Sequence, residues 1–148
     1  MMANKSFTLI ELIVVIIIVG ILAAVGISQY SKTVEKGRDA EAKQILGDMR
    51  KSAYEYWLQN GSMSGITNAF FNIGTASSQI PGDSAGTCRG THYFYYYIRN
   101  YSDHIDFIAH RCTSGGKTPQ GTGTHSICLD WWYGTNQHSG WTIDWPGY

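Results

Sequence analysis

An unbroken apolar segment near the start of the chain limits what this sequence can fold into more than any other feature. Between Phe7 and Ile27 only Thr8 and Glu11 are polar or charged. As a helix at about 1.5 Å per residue, the segment would be roughly 31 Å long, which is close to the hydrocarbon thickness of a bilayer. Because it is apolar on every face, such a helix needs lipid or other helices around it. A soluble monomeric globule is therefore not expected.

The charge balance excludes another class of protein. The 148 residues include 11 Lys and Arg against 11 Asp and Glu, so the formal net charge is zero. A domain that binds nucleic acid by neutralising phosphates needs a clear excess of positive charge. The length allows one modest core beyond the apolar segment.

The next stretch, from Tyr30 to Gln59, changes to the pattern of an amphipathic helix. Its apolar stripe consists of Ala42, Ile45, Leu46, Met49, Ala53, Tyr56 and Trp57. We assign the charged residues of this stretch, Asp39 among them, to the solvated faces opposite the stripe. Gly61 is a natural stop for the helix. A head domain is expected on the stripe, whereas the apolar half of the helix has no partner within one subunit, which favours polymerisation.

The residues from Lys5 to Leu12, KSFTLIEL, with the apolar run that continues to Ala24, carry a resemblance to a known family. They resemble the N-terminal signature of type IV pilins and of the related type II secretion pseudopilins. The resemblance implies that a membrane peptidase cuts the Ser6–Phe7 bond and methylates the new amino group of Phe7.

Glu11 is the most informative residue of the motif. A carboxylate in hydrocarbon costs several kcal/mol unless it is paired or lies near the interface. It can lie one turn from the membrane surface and reach the interface without a partner. The family resemblance instead implies an assembly role, in which the α-amino cation of Phe7 lies beside Glu11 of a neighbouring subunit and sets the register. On that interpretation, Glu11→Ala blocks or greatly reduces assembly and leaves membrane insertion intact.

Gly20, Gly26 and Ser28 are the predicted weak points of the helix. Each glycine weakens a helix by about 1 kcal/mol relative to Ala. The glycines also suit close helix packing in a membrane. The family resemblance implies local melting between Gly20 and Ser28 when the subunit leaves the lipid.

The C-terminal part is expected to be a small β-rich head, which makes the fold class α+β. Tyr and Phe clustering and alternation predict antiparallel strands at His92–Arg99, Ile105–Cys112 and His125–Trp132, with a fourth at Trp141–Asp144. A helical turn is expected within Asn68–Ile73. The predicted plan is a leader at 1–6, helix halves at 7–28 and 29–59, and a head at 60–148 made of a connecting loop (60–91) and a sheet (92–148).

Three cysteines cannot all pair within one chain. A hairpin of the first two predicted strands brings Cys88 near Cys112, so this pair is favoured. The Cys112–Cys128 pair, across the next hairpin, is almost as plausible. One disulfide fits a location outside the cytoplasm.

Sequence motifs for catalysis, metals or cofactors are weak. The five histidines are scattered, and neither a P-loop nor a nucleophile elbow is present. Asp103, His104 and Asp106 could contribute to a metal site, and Asp130 and Asp144 to a calcium site, but polar residues around a hairpin turn are the better interpretation. We therefore predict a non-enzyme without a metal or cofactor, in which the many aromatic residues serve core and subunit packing.

The predicted function is a structural subunit of a type IV pilus that serves adhesion, motility or DNA uptake. The resemblance implies a precursor in the bacterial inner membrane and then an extracellular homopolymer. The implied partners are other copies of the chain, the prepilin peptidase, a platform membrane protein and an assembly ATPase, with nucleic acid only if the pilus takes up DNA. The alternatives are a pseudopilin acting in protein export and a single-pass membrane anchor carrying a binding domain.

Overall fold

The computed structural model describes residues 7–73, 80–81, 86–117, 125–134 and 138–144. The chain divides into two compact units, residues 1–37 and residues 38–148. One helix, α1 (Leu9–Asn60), contributes to both of them. The predicted leader, residues 1–6, lies outside the described residues.

The first unit consists, where it is described, of the start of α1. The helix begins at Leu9, two residues after the predicted start at Phe7, because Thr8 occupies the capping position. The backbone is helical without interruption through Gly20, Gly26 and Ser28. Every described side chain from residue 7 to residue 27 is exposed within the chain, as expected for a helix whose partners are not part of the same molecule.

The second unit contains the amphipathic end of α1, and the predicted stripe is confirmed. Four of its residues are fully buried, and three more pack against the core: Ala42, Leu46, Met49 and Ala53, then Ile45, Tyr56 and Trp57. The helix ends at Asn60, and Gly61 follows with φ at 67°. Its N–H donates to the carbonyl of Trp57 at 2.8 Å. This left-handed position is one that glycine adopts without strain.

The segment after α1 is more ordered than the predicted loop. A short 3₁₀ helix, Asn68–Phe70, is followed by β1 (Asn72–Ile73), which pairs antiparallel with β2 (Ile80–Pro81). The helical turn predicted for residues 68–73 is therefore right only for its first half. The side chain of Phe71 between the two elements is fully buried, which fixes this segment against the core.

The main sheet is a four-stranded antiparallel meander, and with α1 it gives the predicted α+β class. Its strands, in spatial and sequence order, are β3 (Phe94–Asn100), β4 (His104–Arg111), β5 (Ser126–Trp132) and β6 (His138–Asp144). The predicted start of β3 at His92 is two residues early, because the His92 N–H donates to the carbonyl of Arg89 in a turn. The predicted β6 is three residues short, since pairing with β5 already begins at Trp132 and His138.

One face of the sheet forms the core with the stripe of α1. Alternate residues along the strands point to the same face of a sheet, and the buried ones include Phe94, Tyr96, Ile105, Phe107, Ala109, Ile127, Leu129 and Trp131. Together with Met63, Ile66 and Phe71 from the connecting segment, they form a single cluster with the buried residues of α1.

Two charged residues lie inside this unit, and one of them corrects a prediction. Asp39 is not on a solvated face: it is only 6% exposed, and its Oδ1 lies 3.4 Å from Nε2 of His125. It precedes Ala42 by three residues and therefore lies on the buried side of the helix. Arg111 is 1% exposed, and its guanidinium donates to the carbonyl of Tyr93 at 2.8 Å.

Candidate assembly site at the start of the apolar helix

Thr8 and Glu11 form a reciprocal cap at the start of α1. The N–H and the hydroxyl of Thr8 donate to Oε2 of Glu11 at 2.8 and 2.7 Å, and the Glu11 N–H donates back to Oγ1 of Thr8 at 3.3 Å. This is the capping box, in which a Thr at the N-cap and a Glu three residues later satisfy each other's unpaired donors. The sequence prediction assigned no role to Thr8, although the T-x-x-E spacing is the sequence signal of such a cap.

The carboxylate of Glu11 lies among apolar side chains. With Phe7, Ile10, Val14 and Val15 it lines a shallow pocket of about 340 Å³. Phe7 is 82% exposed within the chain. Thr8 donates hydrogen bonds to the carboxylate but carries no positive charge. In an apolar environment the negative charge of Glu11 is therefore not neutralised by this cap. The structure thus brings Phe7 and Glu11 together in one site.

Gly20, Gly26 and Ser28 lie farther along the same helix and do not join this site. A Cβ atom built on Gly20 or Gly26 would meet nothing within 4 Å. Neither glycine is therefore required by packing within the chain. By length and composition alone, α1 contains an apolar stretch long enough to cross a membrane.

The disulfide lies in the second unit, and it joins Cys88 to Cys112 with a Cα–Cα distance of 5.8 Å. This is the pair that the hairpin argument favours. Cys128, on β5, is outside this disulfide. A Cβ on Gly116 would lie 2.3 Å from Cβ of Cys112, so only glycine fits where the chain passes the disulfide.

The suggested metal ligands are engaged in other contacts. Nδ1 of His104 lies 2.7 Å from Oδ1 of Asp103. The imidazole ring of His104 stacks on the rings of Tyr101 and Trp132, with centroid distances of 4.3 and 4.2 Å respectively. In the described part of the chain, no group of three or more His, Cys, Asp or Glu residues is placed to hold a metal ion.

Of the suggested calcium ligands, the described one, Asp130, is engaged in another contact. The indole N–H of Trp132 donates to Oδ2 of Asp130 at 3.2 Å. The side chain of Asp144 lies outside the described residues.

Comparison with known proteins identifies the N-terminal region. Residues 1–27 match the family model of the prokaryotic N-terminal methylation motif. A fimbrial protein of Neisseria meningitidis is 40% identical over 79 residues, which cover 53% of this chain and 45% of that protein. A type IV major fimbrial protein of Dichelobacter nodosus is 38% identical over 85 residues, covering 57% of this chain and 52% of the relative. A type IV major pilin of Neisseria gonorrhoeae is 36% identical over 79 residues, covering 53% and 47%.

The N-terminal half of the chain is thus similar to type IV pilins and fimbrial proteins. The chain spans about half the length of the pilins and fimbrial proteins that it matches. No solved structure matches the chain significantly. The names of the relatives do not favour the two alternatives, a secretion pseudopilin and a membrane-anchored binding domain.

Proposed function

We propose that this chain is a type IV pilin, a structural subunit of an extracellular pilus that supports adhesion, motility or DNA uptake. The observation that carries the proposal is the apolar helix from Phe7 to Ile27, whose described side chains are all exposed within the chain. At about 25 cal/mol per Å² of apolar surface, such a helix cannot remain in water as a monomer. Lipid covers it in the precursor, and helices of other copies cover it in the filament.

Processing is the first step of the proposed pathway. A prepilin peptidase in the bacterial inner membrane cleaves the Ser6–Phe7 bond and methylates the amino group of Phe7. The match of residues 1–27 to the methylation motif supports this step. Cleavage removes neither Thr8 nor Glu11, so the capping box persists in the mature subunit.

Glu11 then selects the register of assembly. Its Oε2 is held by Thr8, which fixes the carboxylate beside the apolar pocket. The α-amino cation that cleavage creates at Phe7 of a neighbouring copy supplies the missing positive charge. In an apolar environment such a pair is strongly attractive, and its main effect is to exclude other registers. The platform membrane protein and the assembly ATPase are the remaining proposed partners.

The stretch from Gly20 to Ser28 is the proposed site of local melting during extraction. Its two glycines lower helix propensity, and intrachain packing does not require them. The continuous helix described above belongs to the single chain, whereas the proposal concerns the subunit in the filament.

The test uses two substitutions of Glu11 and a matched control. Glu11→Gln keeps an oxygen that accepts the hydrogen bonds of Thr8 but removes the charge, and Glu11→Ala removes both. Both variants should insert into the membrane at the normal level and yield at least about tenfold fewer sheared surface filaments, since a lost buried ion pair costs several kcal/mol. Glu55→Gln, at an exposed position of the same helix, should assemble normally.

The readouts are electron microscopy and mass analysis of the sheared material. Wild-type filaments should contain chains that begin at N-methylated Phe7. A normal filament yield from Glu11→Gln would refute the charge-pairing step. Chains that retain residues 1–6 in the filament would refute the proposed processing.

A further inference from the structure

A cleft in the second unit is lined by cationic and aromatic side chains and shares no residue with the candidate assembly site. It has a volume of about 320 Å³ and lies between α1 and the β5–β6 hairpin. Its lining residues are Arg50, Lys51 and Tyr54 of the helix and Trp131, His138 and Ser139 of the sheet. All six belong to the unit of residues 38–148, so the cleft does not depend on the apolar end of the helix.

The charges in the cleft select an anion. Arg50 and Lys51 bring two permanent positive charges, and the six lining residues include no carboxylate. Nη1 of Arg50 donates to Oγ of Ser139 at 2.8 Å, which positions the guanidinium across the cleft. That bond uses one of the five N–H donors of the group. Guanidinium donors match the two oxygens of a carboxylate in bidentate geometry.

The rest of the lining is aromatic and sets the shape of the ligand. The rings of Tyr54 and Trp131 meet edge to face with centroids 5.8 Å apart, and Trp131 is buried. Tyr54, which is 43% exposed, therefore supplies the aromatic wall of the cleft, and the buried Trp131 packs against it. The volume is at the lower end of the range for small-molecule sites, which suits one ring rather than a polymer segment. A nucleic acid would need a track of positive charges, and the chain has no net charge to supply one.

We propose that this cleft binds a carboxylate-bearing sugar, of the hexuronic acid class, at the end or side of a glycan. The carboxylate lies against Arg50 and Lys51, and the C–H face of the pyranose ring lies on the aromatic wall. The side chains of Ser139 and His138 form hydrogen bonds with the hydroxyl groups of the sugar. Binding at a single saccharide is weak, and it gains strength when many copies present the cleft along one polymer.

The experiment uses the full chain in non-ionic detergent micelles and follows the indole N–H signal of Trp131 by nuclear magnetic resonance. D-glucuronate should shift this signal in a saturable manner at millimolar concentrations. D-glucose, which lacks the carboxylate, and sulfate, which lacks the ring, should each bind at least about tenfold more weakly. Because this binding experiment does not involve filament assembly, a failure to detect glucuronate binding leaves the filament proposal intact. In the same way, a failure of the filament proposal leaves the glucuronate proposal intact.

Lys51→Gln is the informative variant, because the side chain is exposed and the substitution should not disturb the core. It should weaken glucuronate binding about five- to tenfold, whereas Lys36→Gln, which removes the same charge from another exposed position, should not. Equal affinity for sulfate and glucuronate would overturn the proposal in favour of a plain anion site. Equal affinity for glucose, no saturable shift, or an unchanged Lys51→Gln variant would also overturn it.

Discussion

Reduction of the Cys88–Cys112 disulfide offers a quantitative test of the head. The two cysteines are 24 residues apart in sequence. Closing a loop of that length removes conformational entropy from the unfolded chain worth about 3.5 kcal/mol at 25 °C in the chain-entropy model. This is a large share of the 5–15 kcal/mol by which domains of about this size are typically stable. The reduced protein should therefore unfold at a much lower urea concentration than the oxidised one.

The assay is urea unfolding of the full chain in detergent micelles, followed by tryptophan fluorescence with and without a thiol reductant. All five tryptophans lie at residue 57 or later, so the signal reports on the second unit and not on the apolar helix. The Cys128→Ala variant is the control, because it keeps the Cys88–Cys112 bond and should still respond to the reductant. A difference below about 1 kcal/mol between the oxidised and reduced proteins would contradict the loop-closure reasoning.

Two further predictions concern the core and the sheet. Leu46 is fully buried on the helix stripe, so Leu46→Ala should lower the free energy of unfolding by about 2–5 kcal/mol, whereas Leu58→Ala, at an exposed position of the same helix, should change it by less than about 1 kcal/mol. Burial raises the pKa of Asp106, while nearby His104 opposes the rise. The folded chain thus holds this proton more tightly than the unfolded chain, so the contribution of Asp106 to stability is present at low pH and is lost as pH rises through the raised pKa. In the Asp106→Asn variant, the free energy of unfolding should no longer decrease for this reason as the pH rises above about 4. If urea unfolding gives the same pH profile for the variant and the original chain, the Asp106 carboxyl contributes nothing to the pH dependence of stability.

The sequence predicted those parts of the fold that depend on residues close together in the chain. The stripe from Ala42 to Trp57 repeats at helical spacing and was predicted for that reason, whereas the Thr8–Glu11 cap, although its residues are only three positions apart, was not predicted. The aromatic runs likewise gave the strands to within three residues. Their ends differed where a turn or a pairing partner decided the boundary, as at His92 and His138.

Other features could not be predicted because they join distant parts of the chain. The sequence assigned Asp39 to a solvated face, since charged residues are rarely buried. The structure buries it against His125, 86 positions farther along. The interior position of Arg111 was missed for the same reason, because its acceptor is the backbone carbonyl of Tyr93, directly before the neighbouring strand β3.

The sequence by itself determined that this chain has an apolar segment of helical length, a single carboxylate within it, and a match to the N-terminal methylation motif over residues 1–27. Those properties follow from composition and from the spacing of residues that are close in the chain, and both can be read from the sequence without knowing how the chain packs. Only the tertiary structure decided that Cys88 pairs with Cys112, and that residues near 50 and near 138 share one cleft. Such pairings follow from how the sheet and the helix pack, and packing depends on many contacts that are distant in sequence.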